Sequence, residues 1–317
     1  MRFQSVTTQK DPIHVTAHYL RPSTVGVFEV HVRMIKSGKR FTNLVADLFQ
    51  KVSPALWRRR KDDSSIAAQN TLKVTTHMIF GHNGPAVGDE VLLTLNPPSP
   101  YARRVPLHCH PSEAPKQRKR GGWTFQDHIE LTEEPKIQDR NHPDHPSRTN
   151  STTVGGGGTE WGAWLGFSGK DEMLTSPALA FMVDMFANTP TMLPRSERKG
   201  LSTRCVILLN GAVKLKVRFY SWFPTVTLSI EFKAPIPKPS EFHASRTVGL
   251  YSTGKFIGHP QGRHEAYVEA WTAPTNIGEG KPVDGWRDKQ ICLAVSTQMS
   301  LAIPFDEVRA DRETTRL

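Results

Sequence analysis

Cysteine is scarce in this chain. Cys109, Cys205 and Cys292 are the three in 317 residues. They are too few and too scattered for a disulfide framework, and none stands in a Cys-x-x-Cys pair that would hold a metal. A reducing, intracellular compartment is expected. Long apolar runs are missing too. None follows a basic N-terminal cap, so no secretory leader is read, and none is long enough to span a bilayer. There is no Gly-x-Ser-x-Gly elbow, which argues against the strand–turn–helix nucleophile of α/β-hydrolases. The glycine run 155–158 lacks the Lys-Ser/Thr that completes a phosphate loop, and a strand pattern rather than a helix follows it.

Acidic residues are outnumbered, 30 against 41 Lys and Arg, for a net charge of +11. Such an excess suggests a polyanionic partner, but its distribution argues against one. Six of the eleven charges lie in two short segments, 52–69 and 204–220, which read as insertions for reasons given below. The remainder is mild, and nucleic acid is not expected as a partner. The basic cluster Lys116-Gln117-Arg118-Lys119-Arg120 reads either as a solvated turn or as a contact for acidic phosphates.

What the chain does contain is a repeated strand. Residues 13–22 (Ile-His-Val-Thr-Ala-His-Tyr-Leu-Arg-Pro) and 226–235 (Val-Thr-Leu-Ser-Ile-Glu-Phe-Lys-Ala-Pro) alternate apolar with polar residues and stop at a proline. Period-two alternation marks a half-buried strand, and proline ends it because it cannot donate to the ladder. A repeat at this distance suggests two similar units in tandem. In the first unit, 13–22, 25–36, 40–50 and 71–82 read as an antiparallel meander without a helix. Pro97-Pro98-Ser99-Pro100 closes it, and 101–158 has linker composition, with a short strand conceivable around Ile129-Glu130-Leu131. The second unit opens with a strand at 160–167. A nearly all-apolar helix over 178–188 follows, capped by Thr175 or Ser176 with Pro177 in its first turn. So apolar a helix is expected to be buried. Strands follow at 225–234, 242–257, 264–273 and 290–303. Antiparallel sheets wrapped on a central helix give an α+β fold.

These residues resemble a known family. Leu179-Ala180-Phe181-Met182-Val183-Asp184 on the helix, Trp222-Phe223-Pro224-Thr225 before a strand, Gly262-Arg263-His264-Glu265, and Ala294-Val295-Ser296-Thr297-Gln298 near the end are similar to the acyl-CoA thioesterase II (TesB-like) family, in a fungal-type version. Asp11-Pro12, His18-Tyr19-Leu20-Arg21-Pro22 and Pro106-Leu107-His108 extend the likeness into the first unit. The resemblance implies a tandem, double-hotdog fold. It divides the chain into an N-terminal hotdog-like unit (1–100), a linker (101–158), a C-terminal hotdog (159–306) and a tail (307–317). It also exposes three departures. The first hotdog lacks its opening strand and central helix, 52–69 interrupts a hairpin, and 204–220 separates the helix from Ser221-Trp222-Phe223-Pro224. The two extra segments read as retained introns of an imperfect gene model or as true insertions, the second carrying a strand at Val206-Ile207-Leu208-Leu209.

For function, the resemblance implies thioester hydrolysis by an oriented water, with Asp184 as base and Thr225 and Gln298 holding the water. Phe181, Met185 and Trp222 would line the acyl groove. The residue types suit the chemistry. A carboxylate amid apolar neighbours is made more basic by desolvation, and Thr and Gln can each donate and accept. Backbone N–H groups at the helix start are expected to polarise the thioester carbonyl. The plain reading of each residue alone is structural: a solvent-facing helix Asp, a Thr opening a strand, a Gln closing one. His108-Cys109-His110 and His142-Pro143-Asp144-His145 match no common zinc spacing, so no metal and no cofactor are expected, with CoA entering only as part of the substrate. Acyl-CoA or another acyl thioester is the expected partner, and a homo-oligomer is compatible with the fold. The rival readings are a hotdog enzyme of a secondary-metabolite pathway acting on polyketide or carrier-bound acyl groups, and a non-catalytic or defective double hotdog. A cytoplasmic location is expected. Thr315-Arg316-Leu317 resembles a peroxisomal address and offers that alternative.

Overall fold

The computed structural model of the chain describes residues 9–51, 70–84, 95, 99–115, 125–146, 157–194, 221–258 and 261–304. Both expected insertions, 52–69 and 204–220, lie outside them. The first half contributes β1 (Asp11–Tyr19), β2 (Glu29–Ser37), β3 (Thr42–Lys51) and β4 (Asn70–Gly81). The second contributes β5 (Ile129–Glu133), α1 (Pro135–Arg140), β6 (Thr159–Phe167), α2 (Ser176–Met182), α3 (Thr189–Met192), β7 (Ser221–Trp222), β8 (Thr225–Phe232), β9 (Thr247–Gly254), β10 (Ile257–Gly258), β11 (Arg263–Thr272), β12 (Cys292–Ser300) and β13 (Ile303–Pro304).

One antiparallel sheet of eleven strands runs through both halves in the order β2-β3-β4-β1-β8-β12-β11-β9-β6-β5, with β10 on β11. The first four strands are therefore not a simple meander. β2, β3 and β4 follow one another, but β1 crosses to the far side of β4 and pairs with β8. The two repeated strands thus lie side by side. Thr16 faces Ser229, the residue at its own place in the other copy, and the flanking pairs Val15↔Ile230 and Ala17↔Leu228 exchange equivalent positions. This is a local twofold seam. About it, β1-β4-β3-β2 is matched by β8-β12-β11-β9. β6 and α2 have no counterpart among the described residues of the first half. The fold is α+β, a double hotdog without one of its central helices.

α2 covers one face of the second half. Leu179, Met182 and Val183 pack there with Leu165, Leu228, Ile230, Val248, Leu250 and Val268 in one buried cluster. The opposite face is covered by the segment whose composition reads as linker. Val105, Leu107 and Ile137 of α1 are fully buried there against Trp164, Trp271 and Trp286. Burying side chains of this size stabilises the fold by roughly 1.5–3 kcal/mol each. Polar bonds fix the cover in place. Trp164 Nε1–H donates to Cys109 O at 2.8 Å, and the buried Glu134 carboxylate accepts the N–H groups of His108 and Cys109 at 2.7 Å. Arg103 pairs with buried Glu269 at 2.8 Å.

The central helix differs from its expected span of 178–188. It starts with Thr175 as cap, whose Oγ1 accepts from Ala178 N–H at 3.2 Å, but it ends at Met182. Val183 N–H still reaches Leu179 O. The N–H groups of Asp184 and Met185 close three residues back, onto Phe181 and Met182. A tertiary bond lies just beyond the stop. Gln298 Nε2–H donates to Val183 O at 3.1 Å, occupying the carbonyl that a continued helix would offer to residue 187. Asp184 consequently stands in the turn after the helix rather than on it. The helix is not buried on all sides either, since Phe181 is 39% exposed and meets Phe125 edge-on at 5.6 Å.

Candidate active site

Two strands and a helix end converge on one place. Gln298, near the end of β12, faces Leu228 on β8 and Ala266 on β11, and is buried. Its side chain therefore lies on the sheet face that α2 covers. Thr225 opens β8, an odd number of residues from Leu228, and by simple alternation would point to the other face. A bulge corrects this. Thr227 faces Met299 and Thr225 faces Ser300, so Val226 is an extra residue on β8. Bulges of this kind re-aim a side chain. Thr225 shares a face with Ser300, and hence with Gln298.

The hydroxyl of Thr225 lies 3.3 Å from Asp184 Oδ1 and 3.4 Å from Gln298 Oε1. A threonine has a single hydroxyl proton, so these two acceptors share it. Gln298 is anchored from its other end by the bond to Val183 O, the residue before Asp184. The three side chains expected to act together are thus brought together, and one amide ties strand and turn. The Asp184 side chain is exposed to solvent, although neighbouring protein partly desolvates its carboxylate. Burial raises its carboxyl pKa above the ordinary value, while hydrogen bonds from Thr225 and Gln298 pull the other way. The net result is a carboxylate more basic than a free one, held by two neutral polar groups.

The remaining expected residues are spread further. Phe181 and Met185 flank Asp184 on the same segment, Met185 packing against the buried cluster under the helix. Trp222 lies on β7, 37% exposed, in a separate two-stranded sheet opposite Ile303 of β13. The amides at the helix start lie at the end of the helix away from Asp184. The helix has seven residues and so measures roughly 10 Å, and Asp184 is beyond its other end. Among the described residues, no three His, Cys, Asp or Glu side chains are placed to hold a metal ion. No helix among them is long and apolar enough to cross a membrane.

Sequence reasoning passed over Tyr19. Its phenol is raised to about 12, first by burial and then by the charge of Asp184, which places it within electrostatic reach of the site. The alternation of 13–22 held the clue, because Val15, Ala17 and Tyr19 fall on one face.

The model of the acyl-CoA thioesterase C-terminal domain matches residues 106–280, and that of the acyl-CoA thioesterase N-terminal domain matches 2–62. The first match alone covers more than half of the chain. The chain belongs to the acyl-CoA thioesterase family. As a member it is a hotdog-fold, thioesterase-like hydrolase of acyl thioesters. Solved structures share the fold at low identity. A protein named as a thioesterase II from Thermobifida fusca is 16% identical, with a TM-score of 0.55 over 94% of this chain and 81% of its own. The acyl-CoA thioesterase II TesB2 of Mycobacterium marinum is 11% identical, with a TM-score of 0.54 over 96% and 84%. A conserved protein of unknown function with a hot dog fold from Alicyclobacillus acidocaldarius is also 11% identical, with a TM-score of 0.51 over 92% and 78%. No curated protein matches the chain.

Proposed function

We propose that this thioesterase-family protein hydrolyses acyl-CoA by direct attack of water, with Asp184 as general base. The observation that carries the reading is the meeting of Asp184, Thr225 and Gln298 through one shared hydroxyl proton, at 3.3 and 3.4 Å. Such long contacts are usual in a site whose hydrogen bonds tighten around its reactants. Water bound among these groups gives its proton to Asp184 while its oxygen attacks the thioester carbonyl carbon. The tetrahedral intermediate collapses, the C–S bond breaks, and the CoA thiolate takes the proton back from Asp184. A free acid and CoA leave. The raised pKa of Asp184 suits the first step, in which it takes a proton from water, and the protonated carboxyl so formed is the proton source for the departing thiolate. The acyl chain lies along the exposed apolar surface of Phe181 and Trp222, with Met185 beneath.

The test is thiol release from short, medium and long acyl-CoAs by wild type and Asp184→Ala. Release lost in the variant supports both class and base, and the chain-length preference defines the groove. A well-folded wild type that leaves CoA esters intact but cleaves carrier-bound acyl groups redirects the substrate to a biosynthetic carrier. Inactivity on both rejects hydrolysis.

A further inference from the structure

β1 belongs to the first half of the chain, yet its pairing with β8 decides what it delivers to the site. Ala17 faces Leu228, and Leu228 faces Gln298 on β12. Cross-strand partners share a face, as do residues two apart along one strand. Tyr19, two residues beyond Ala17, therefore rises from the face that carries Gln298. Because β1 and β8 run antiparallel, the step from Ala17 to Tyr19 runs from Leu228 toward Thr225, the end where Asp184 stands. Tyr19 is 37% exposed, and its hydroxyl makes no hydrogen bond among the described residues.

We propose that the Tyr19 phenol donates a hydrogen bond to the thioester carbonyl oxygen and stabilises the oxyanion that forms on it. The inference rests on the hydrolase reading above and names the group which that reading leaves open, since the helix-start amides lie a helix length away. A phenol suits the place. The site holds a base, so its oxyanion donor must not surrender its own proton. Burial and the nearby Asp184 charge hold the phenol protonated well beyond any working pH. The phenol keeps its proton throughout, and its bond to the carbonyl oxygen strengthens as negative charge develops there. It therefore contributes more in the transition state than in the ground state. The site is accordingly shared: the first half gives the oxyanion donor, and the second gives the base and the water-holding pair.

The experiment compares wild type with Tyr19→Phe in steady-state thiol release from the best acyl-CoA. It also measures the affinity of each for the thioether analogue of that substrate, which binds but cannot be hydrolysed. Phenylalanine keeps the ring and removes only the hydroxyl. The expected result is a kcat reduced by about 10²–10³, as for removal of one oxyanion donor, with KM and thioether affinity within roughly twofold. An active wild type whose Tyr19→Phe variant keeps its kcat overturns the role of Tyr19 while leaving the hydrolase reading intact. A variant that keeps kcat but loses affinity makes Tyr19 a wall of the groove and overturns it as well. A folded wild type that releases thiol from neither acyl-CoA nor a carrier-bound acyl thioester overturns the hydrolase reading and this inference with it.

Discussion

Asp184 acts in opposite directions on chemistry and on stability. Its pKa is raised in the folded chain because burial penalises the charged form more than Thr225 and Gln298 stabilise it. The base is active only when ionised, so the rate falls as pH drops through that raised value. The acidic limb of the kcat–pH profile should lie above the ordinary aspartate value. Thr225→Val removes a bond that lowers this pKa, so the limb should move to higher pH as kcat falls; a full pH–rate profile of the variant reads both. Stability follows the reverse sign. The folded state holds the Asp184 proton to higher pH than the unfolded chain, so ionisation between the two pKa values destabilises the fold as pH rises. The three polar residues were legible from the family likeness. Their contacts were not, because the hydroxyl shared by Asp184 and Gln298 depends on the Val226 bulge, which leaves no mark in the alternation of 225–232.

At the scale of elements, strands were readable and the helix end was not. Alternation along 13–22 and 226–235 foretells β1 and β8 to within about three residues at each end, since each strand has one face on the core. The helix pattern runs on to 188 because Met185, Phe186 and Ala187 are apolar, but the N–H groups of Asp184 and Met185 already close three residues back, and Gln298 takes the Val183 carbonyl beyond them. Beyond that turn, α3 seats against β9 through a glycine. A Cβ on Gly254 would lie 2.8 Å from Thr189 Cβ, an atom that no rotamer change can move aside. Gly254→Ala should therefore cost about 1–3 kcal/mol, as overpacking of a tight core does, read as a lower urea midpoint at unchanged slope. Thr189 is itself tied to the Glu265 carbonyl at 3.2 Å, so the seat resists sliding.

Across the whole molecule, the β1–β8 seam joins the two halves into one sheet. The seam was not foreseen, because a repeat announces two similar units without saying that the repeated strands pair with each other. The described tryptophans, Trp161, Trp164, Trp222, Trp271 and Trp286, all lie in the second half. With Trp57 and Trp123 replaced by phenylalanine, fluorescence reports that half, while far-UV circular dichroism reports the entire sheet. If the seam couples the halves, the two signals should give one coincident unfolding transition. Thr16 has β4 on one side and β8 on the other, pairing with His77 and Ser229. Thr16→Pro, which places proline in an interior strand, should lower the midpoint seen by tryptophans it does not touch. Two separate transitions, with only the circular dichroism shifted, would mean that the seam holds shape without coupling stability.

The central claim, that a desolvated Asp184 is the base of a water-attacking thioesterase, is most directly tested by Asp184→Asn, with kcat and thermal midpoint measured on the same preparation at neutral pH. The account predicts that kcat falls by about 10²–10⁴, the usual worth of a general base, while the midpoint rises because a partly desolvated charge is gone. The gain in midpoint should shrink as the pH is lowered toward the unfolded carboxylate pKa. A variant that hydrolyses acyl-CoA as fast as wild type would contradict the account, whatever its stability.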